Sequence, residues 1–330
     1  MIAWEFGSAD LAGLRFAHSP LAEVVASAFV LRNGGHGGLQ ASWRSRVLAS
    51  LPRWPTFRAV LFGPHGHSPD FLTPPPRTAR PTLAEELAAM AASPLDEVAA
   101  QVSAAWAGHD QPPEIRDPRT LLALLVPEIR AYFEVAIVPL WPRLRAAADA
   151  EIAGAARTMA DHSARAMMAR LHPKLDWTGS ALLLRYPGKQ GQWTLDGHHL
   201  TLLPTGFAGA EVFAMPDSPA GRTLWYAPGG HGNIWLPTAP NAPLAALLGP
   251  SRAAVLALVS APYSTGEVAH QLGLAAGTAS YHLTTLRDTG LVTAVRAGRR
   301  LLYQRTALGD QLVQDSRLTT PARRSPAGSA

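Results

Sequence analysis

One capping signal and two glycines fix the order of elements between residues 264 and 305. Ser264-Thr265-Gly266-Glu267 places a hydroxyl three residues ahead of a carboxylate. Each side chain can then meet the other's backbone amide and start a helix. A helix is predicted over 265–272, with Val268 and Leu272 inward and Gly273 as the turn. A second helix is predicted over 275–289, ended by Gly290. A strand over 291–295, a basic turn Arg296-Ala297-Gly298-Arg299-Arg300 and a return strand over 301–304 follow. Helices over about 243–248 and 251–260 precede the cap. The latter carries Val255, Leu258 and Val259 on one stripe. A last helix over 307–313 closes the segment.

The helix over 275–289 has two faces of different chemistry. Ala279, Leu283 and Leu286 recur at i, i+4 and i+7 and make a core face. Thr278, Tyr281, His282 and Thr285 form an opposed polar stripe. Most solvated helix faces carry Glu and Lys. This one carries hydroxyls, a phenol and an imidazole, which can hydrogen-bond base edges or pack on a thymine methyl. A hairpin tipped with arginines is a wing suited to gripping phosphates or entering a minor groove.

Taken together, these stretches resemble the ArsR-type winged helix-turn-helix family. The resemblance spans roughly 243–313 and rests on several runs. These are Leu247-Leu248-Gly249-Pro250-Ser251-Arg252, Ser264 to Ala269 with Leu272-Gly273-Leu274, Ser280-Tyr281-His282-Leu283, Leu286 to Val292, and Gly298 to Tyr303. It implies that helix 275–289 enters the major groove of double-stranded DNA. Thr278, Ser280, Tyr281, His282 and Thr284 would be the readers, with Arg287 near the backbone. Arg296, Arg299 and Arg300 would lie on phosphates. It also implies a repressor. A homodimer is expected, because two such units on one scaffold read a near-palindrome with more affinity than one. Many relatives sense metals through cysteine, and this chain has none, so thiolate metal sensing is excluded, while sensing through His, Asp or Glu is not.

Charge is segregated in the same direction. The 330-residue chain has a formal net charge of +5. Residues 243–330 hold nine arginines (252, 287, 296, 299, 300, 305, 317, 323, 324) against Glu267, Asp288, Asp310 and Asp315. That excess accounts for the whole net charge, which is the footprint of a nucleic-acid-binding module. Arginine content alone carries no argument. Lys174 and Lys189 are the only lysines, and the abundance of Ala and Pro points to GC-rich coding bias.

The first 242 residues read as helix followed by strand, making the whole chain mainly α within an α+β class. Ser19-Pro20 opens a helix over 21–31. Thr82-Leu83-Ala84-Glu85 caps an Ala-rich helix, and another covers 95–106. A long helical pattern runs over 118–171, broken near Pro139 and Pro142. The Pro-, aromatic- and His-rich stretch 51–81 reads as an ordered irregular loop. Strand-like runs over 181–186, 191–195, 199–203, 211–215 and 222–226 suggest a small antiparallel meander. The first of these, continuously apolar, equally suits a buried helix end. The expected domains are 1–242, for effector binding or dimerisation, 243–313, for DNA, and a disordered tail over 314–330. All Trp and Phe precede residue 243, so two separate cores are expected. The layout resembles ArsR-like regulators with a long N-terminal domain, through Asp70 to Pro76 and Trp141-Pro142-Arg143-Leu144. That resemblance supplies no ligand.

Chemistry-bearing motifs are sparse. Gly66-His67-Ser68-Pro69-Asp70 lacks the final glycine of a nucleophile elbow. His65 with His67, and His198 with His199, have no third ligand at metal-site spacing. Gly-Gly-His-Gly at 34–37 and 229–232 is not followed by the Lys-Ser/Thr of a phosphate loop. The sequence therefore points to no cofactor and no metal, and to a regulator ahead of an enzyme with an appended DNA-binding domain or a protein-interaction module. No signal peptide and no membrane span is read, so the expected compartment is the cytoplasm. The expected partners are duplex DNA, a second copy and a small-molecule effector bound by the N-terminal domain.

Overall fold

A computed structural model describes residues 1–7, 10–33, 40–66, 68–185, 190–195, 199–209, 211–215, 221–235, 242–297 and 300–318. The described chain divides into two compact units between Ile234 and Trp235. No described helix is long and apolar enough to cross a membrane.

The N-terminal unit begins with strands β1 (Ile2–Glu5) and β2 (Arg15–Phe16), then helix α1 (Pro20–Asn33). Pro20 opens α1 where its missing amide costs nothing. From Pro20 to Val30 only Phe29 is not buried, the signature of a helix enclosed on all sides. Helices α2 (Ala41–Ser50), α3 (Pro55–Leu61), α4 (Leu83–Ala91), α5 (Leu95–Ala105) and α6 (Pro113–Arg116) follow. The long α7 (Pro118–Ala136) and α8 (Trp141–Asp161) meet at the expected break, with Pro142 in the first turn of α8. A further break at His162 leaves the short α9 (Ala164–Met168), capped by Ser163.

Stretch 51–81 is largely irregular as expected, but it contains a helix that the sequence reading lacks. Pro55 sits in the first turn of α3, which buries Thr56, Phe57, Val60 and Leu61. Proline there starts a helix, where the sequence reading expected irregular chain. The Thr82 box forms as expected: Thr82 Oγ1 accepts from the Glu85 amide at 3.2 Å, and Glu85 Oε2 accepts from the Thr82 amide at 2.7 Å.

All five expected strand runs contain strands: β4 (Ala181–Leu184), β5 (Gly191–Thr194), β6 (Leu200–Pro204), β7 (Val212–Met215) and β8 (Arg222–Tyr226), preceded by β3 (Leu175–Trp177). The α+β class holds, but the pairing is not a meander. The strands form two four-stranded sheets, ordered β3-β4-β1-β5 and β2-β6-β8-β7. β1 pairs antiparallel with β4 and parallel with β5, while β6 and β8 run parallel. N-terminal strands occupy slots that a meander would give to sequence neighbours. Trp4, Leu182, Leu200, Leu224 and Tyr226 are fully buried in the core of these sheets.

The C-terminal unit contains α10 (Ala242–Leu248), α11 (Pro250–Leu258), β9 (Tyr263–Ser264), α12 (Thr265–Leu272), α13 (Ala276–Asp288), β10 (Val292–Ala297), β11 (Arg300–Arg305) and α14 (Ala307–Leu318). Its sheet is antiparallel in the order β10-β11-β9. Its core is aliphatic with Tyr263 and Tyr303, and has neither Trp nor Phe. α14 runs on to Leu318, past the expected end at 313. The rest of the expected disordered tail, 319–330, lies outside the described residues.

Candidate nucleic-acid interface

The C-terminal interface is built on α12 and α13. Ser264 Oγ accepts from the Glu267 amide at 3.3 Å, and Glu267 Oε2 accepts from the Ser264 amide at 2.8 Å. Gly273 then turns the chain with φ +63°, a left-handed conformation that only glycine adopts without strain. α12 and α13 are thus joined by a tight turn, and α13 is anchored by Ala279, Leu283 and Leu286, each at most 1% exposed.

The opposite face of α13 is open. Thr278, Ser280 and Tyr281 are exposed, the last at 64%, and Thr284 is half-buried. By helical period, Tyr281 points directly away from the core face, and Ser280 and Arg287 lie on one flank. His282 lies on the other flank and is less available than its place in the stripe suggests. Its Nδ1 is buried without a hydrogen-bond partner. Burial, and then the neighbouring Arg252 charge, push its pKa below the usual histidine value. A neutral imidazole with Nδ1 sealed inward has only Nε2 to offer a base. Thr285 spends its hydroxyl donor on the Tyr281 carbonyl at 2.9 Å.

Arginines of this unit divide into engaged and unengaged groups. Arg287 binds Asp288 Oδ1 through Nε at 3.1 Å and Nη2 at 2.8 Å, and Asp288 raises its pKa. Arg305 is structural: its guanidinium contacts Asp310 and donates to the carbonyls of Leu256 and Ala257. Arg252 donates to the Leu248 carbonyl at 2.8 Å and faces His282. Arg296 and Arg300 are exposed and have no acidic partner among the described residues. They are strand residues, which corrects the expected turn over 296–300: Arg296 is registered with Leu301, and Ala297 with Arg300. Side chains alternate along a strand, so the two guanidinium groups leave opposite faces of the ribbon. Arg299 lies outside the described residues.

The structure thus brings Thr278, Ser280, Tyr281, His282, Thr284 and Arg287 onto one helix, and Arg296 and Arg300 onto the adjacent hairpin. Sequence reasoning missed Arg252, which adds positive charge beside the helix flank; its place in the run Leu247 to Arg252 was the available signal. It also missed Val295, 63% exposed beside Arg296 on the wing. An apolar side chain at that position can insert against sugars in a groove.

Residues 247–295 match the family model of a helix-turn-helix domain. The match runs from the end of α10 into β10. No curated protein and no solved structure matches the chain. The C-terminal unit therefore carries a helix-turn-helix DNA-binding domain.

Proposed function

We propose that this protein is a transcriptional regulator, and not an enzyme, that reads operator DNA with α13 and grips the backbone with the β10–β11 wing. The observation that carries the reading is a neutral, hydroxyl-rich exposed helix face beside a ribbon holding two unengaged arginines. Thr278, Ser280, Tyr281 and Thr284 face bases, His282 offers Nε2 at the edge, and Arg296, Arg299 and Arg300 meet phosphates. Arg287, partly neutralised by Asp288, contributes less than its position suggests. The resemblance to ArsR-type regulators supports a cytoplasmic repressor acting as a homodimer on a near-palindrome. The N-terminal unit would then supply dimerisation or effector binding, and a ligand there would shift the population competent for DNA.

Fluorescence anisotropy with labelled duplex from the protein's own upstream region tests the reading. Binding is expected to be tight in dilute buffer and to weaken steeply with salt, as counterions released from phosphates require. Failure to bind any duplex in dilute buffer overturns it.

A further inference from the structure

We propose that the N-terminal unit carries a binding site for a small planar aromatic carboxylate, in a pocket between the starts of α1 and α4 and one face of α8. The pocket holds about 360 Å³, at the small end of the range for organic ligands. Its size suits one or two fused rings.

The pocket is aromatic in its walls. His18 and Trp141 stack with ring centroids 4.8 Å apart and planes 13° from parallel, and Phe133 meets Trp141 edge-on at 5.4 Å. A flat ring continues such a column with the offset or edge contacts that aromatic pairs favour. The walls are held in advance. His18 Nε2 pairs with Glu23 Oε1 at 3.1 Å, and Glu23, fully buried, also accepts the amides of Gly206 and Phe207 at 2.8 and 3.2 Å. The His18 amide donates to the Ala79 carbonyl at 3.0 Å, tying this wall to the strand of chain that leads to Arg80. A pocket fixed before binding loses little entropy when a ligand enters.

The rim is charged, with a surplus of positive charge. Trp141, Arg145 and Asp149 recur every four residues on one face of α8. Asp149 Oδ1 is occupied by Arg80, through Nε at 3.0 Å and Nη2 at 2.9 Å. Arg145 Nε lies 3.9 Å from Asp149 Oδ2, beyond hydrogen-bond distance. Two guanidinium groups therefore share one carboxylate, and Arg145 keeps its donors. A ligand carboxylate fits that fork in bidentate fashion. A ligand cation is disfavoured, because the one rim carboxylate is already paired.

Isothermal titration of the full chain with 2-naphthoate tests the site, beside 2-naphthalenemethanol and cyclohexanecarboxylate. One equivalent of naphthoate is expected to bind, with both comparison compounds at least about tenfold weaker, a difference of about 1.4 kcal/mol. Arg145→Gln, on an exposed side chain, is expected to weaken naphthoate about tenfold and leave the alcohol unchanged. Trp141→Leu is expected to weaken both aromatic compounds. No binding of naphthoate at millimolar concentration overturns the proposal. So does equal affinity of wild type and Arg145→Gln for naphthoate, a result that does not depend on whether the Trp141 variant folds. The two readings are tested apart: titration without DNA reports the naphthoate site, and anisotropy without naphthoate reports DNA recognition, so either reading can fail while the other survives.

Discussion

The Leu21 amide donates to Glu86 Oε2 at 2.8 Å, so a carboxylate on α4 caps the first turn of α1. The interaction joins two helices that are distant in sequence. It also places an acidic group where it is 3% exposed, with Oε1 buried and without a hydrogen-bond partner. Burial raises the Glu86 pKa to about 7, against the opposing pull of Ser19, the Leu21 amide and the charge of His18, while nearby Glu85 adds to the rise.

Stability should consequently depend on pH through Glu86. Its folded pKa is above its ordinary value of 4.5, so between about 4.5 and 7 the native state holds a proton that the unfolded chain has lost. The contribution is complete below 4.5 and is lost as pH rises through about 7, amounting to about 3 kcal/mol at ~1.4 kcal/mol per unit. Urea unfolding of wild type and Glu86→Gln at pH 5, 6, 7 and 8 measures it. The variant should gain relative to wild type as pH rises. Parallel pH profiles for the two proteins would refute this assignment.

The wing predicts a particular salt response. Arg296→Ala and Arg300→Ala should each weaken binding to operator and random duplex alike, and each reduce the slope of log affinity against log salt by about 1. Arg305→Ala should act differently. Its side chain is 8% exposed and holds two carbonyls and Asp310, so the loss should appear as a lower melting temperature of the C-terminal unit. A salt slope unchanged in the Arg296 and Arg300 variants would remove the wing from the phosphate backbone.

On α13, exposure and pairing separate readers from bystanders. Tyr281→Ala should cost about 1–3 kcal/mol on operator DNA and much less on random sequence. Arg287→Gln should change little on either, because Asp288 already engages that guanidinium. Competition anisotropy with both duplexes distinguishes the two. Equal losses on operator and random DNA for the Tyr281 variant would remove it from base recognition.

What was legible in the sequence was what is local. The Ser264–Glu267 and Thr82–Glu85 boxes, the glycine turn at 273 and the core stripe of Ala279, Leu283 and Leu286 each depend on residues within a few turns of one another. The Arg287–Asp288 pair is equally local but went unread, since adjacent residues leave a helix in different directions and carry no periodic signal. β1 was invisible because its partners, residues 181–184 and 191–194, are far along the chain and a four-residue strand has little signal of its own. β6 and β8 are close in sequence, but β8 takes the place beside β6 that a meander gives to β7. The pocket was illegible for a related reason: His18, Arg80, Phe133 and Trp141 come from separate places in the chain, and nothing in their spacing brings them together.

Two glycines should respond to alanine with opposite sign. Intrinsic propensity favours alanine over glycine inside a helix by about 1 kcal/mol. At Gly266 in α12 an added Cβ meets nothing within 4 Å, so Gly266→Ala should stabilise the C-terminal unit by up to that amount. At Gly309 in α14 an added Cβ would collide with the Leu291 carbonyl oxygen, a backbone atom that cannot rotate away. The amides and hydroxyls around it are already committed: Thr306 Oγ1 donates to the Gly290 carbonyl at 2.7 Å and accepts the Gly309 amide at 3.2 Å. Moving α14 outward would break that arrangement and loosen its packing against α10, α11 and β11. Gly309→Ala should therefore destabilise by about 1–3 kcal/mol, the usual cost of overpacking, in spite of the better helix former. Thermal unfolding of the two variants checks both signs. A rise in melting temperature for Gly309→Ala would mean that α14 does not pack against Leu291 in solution.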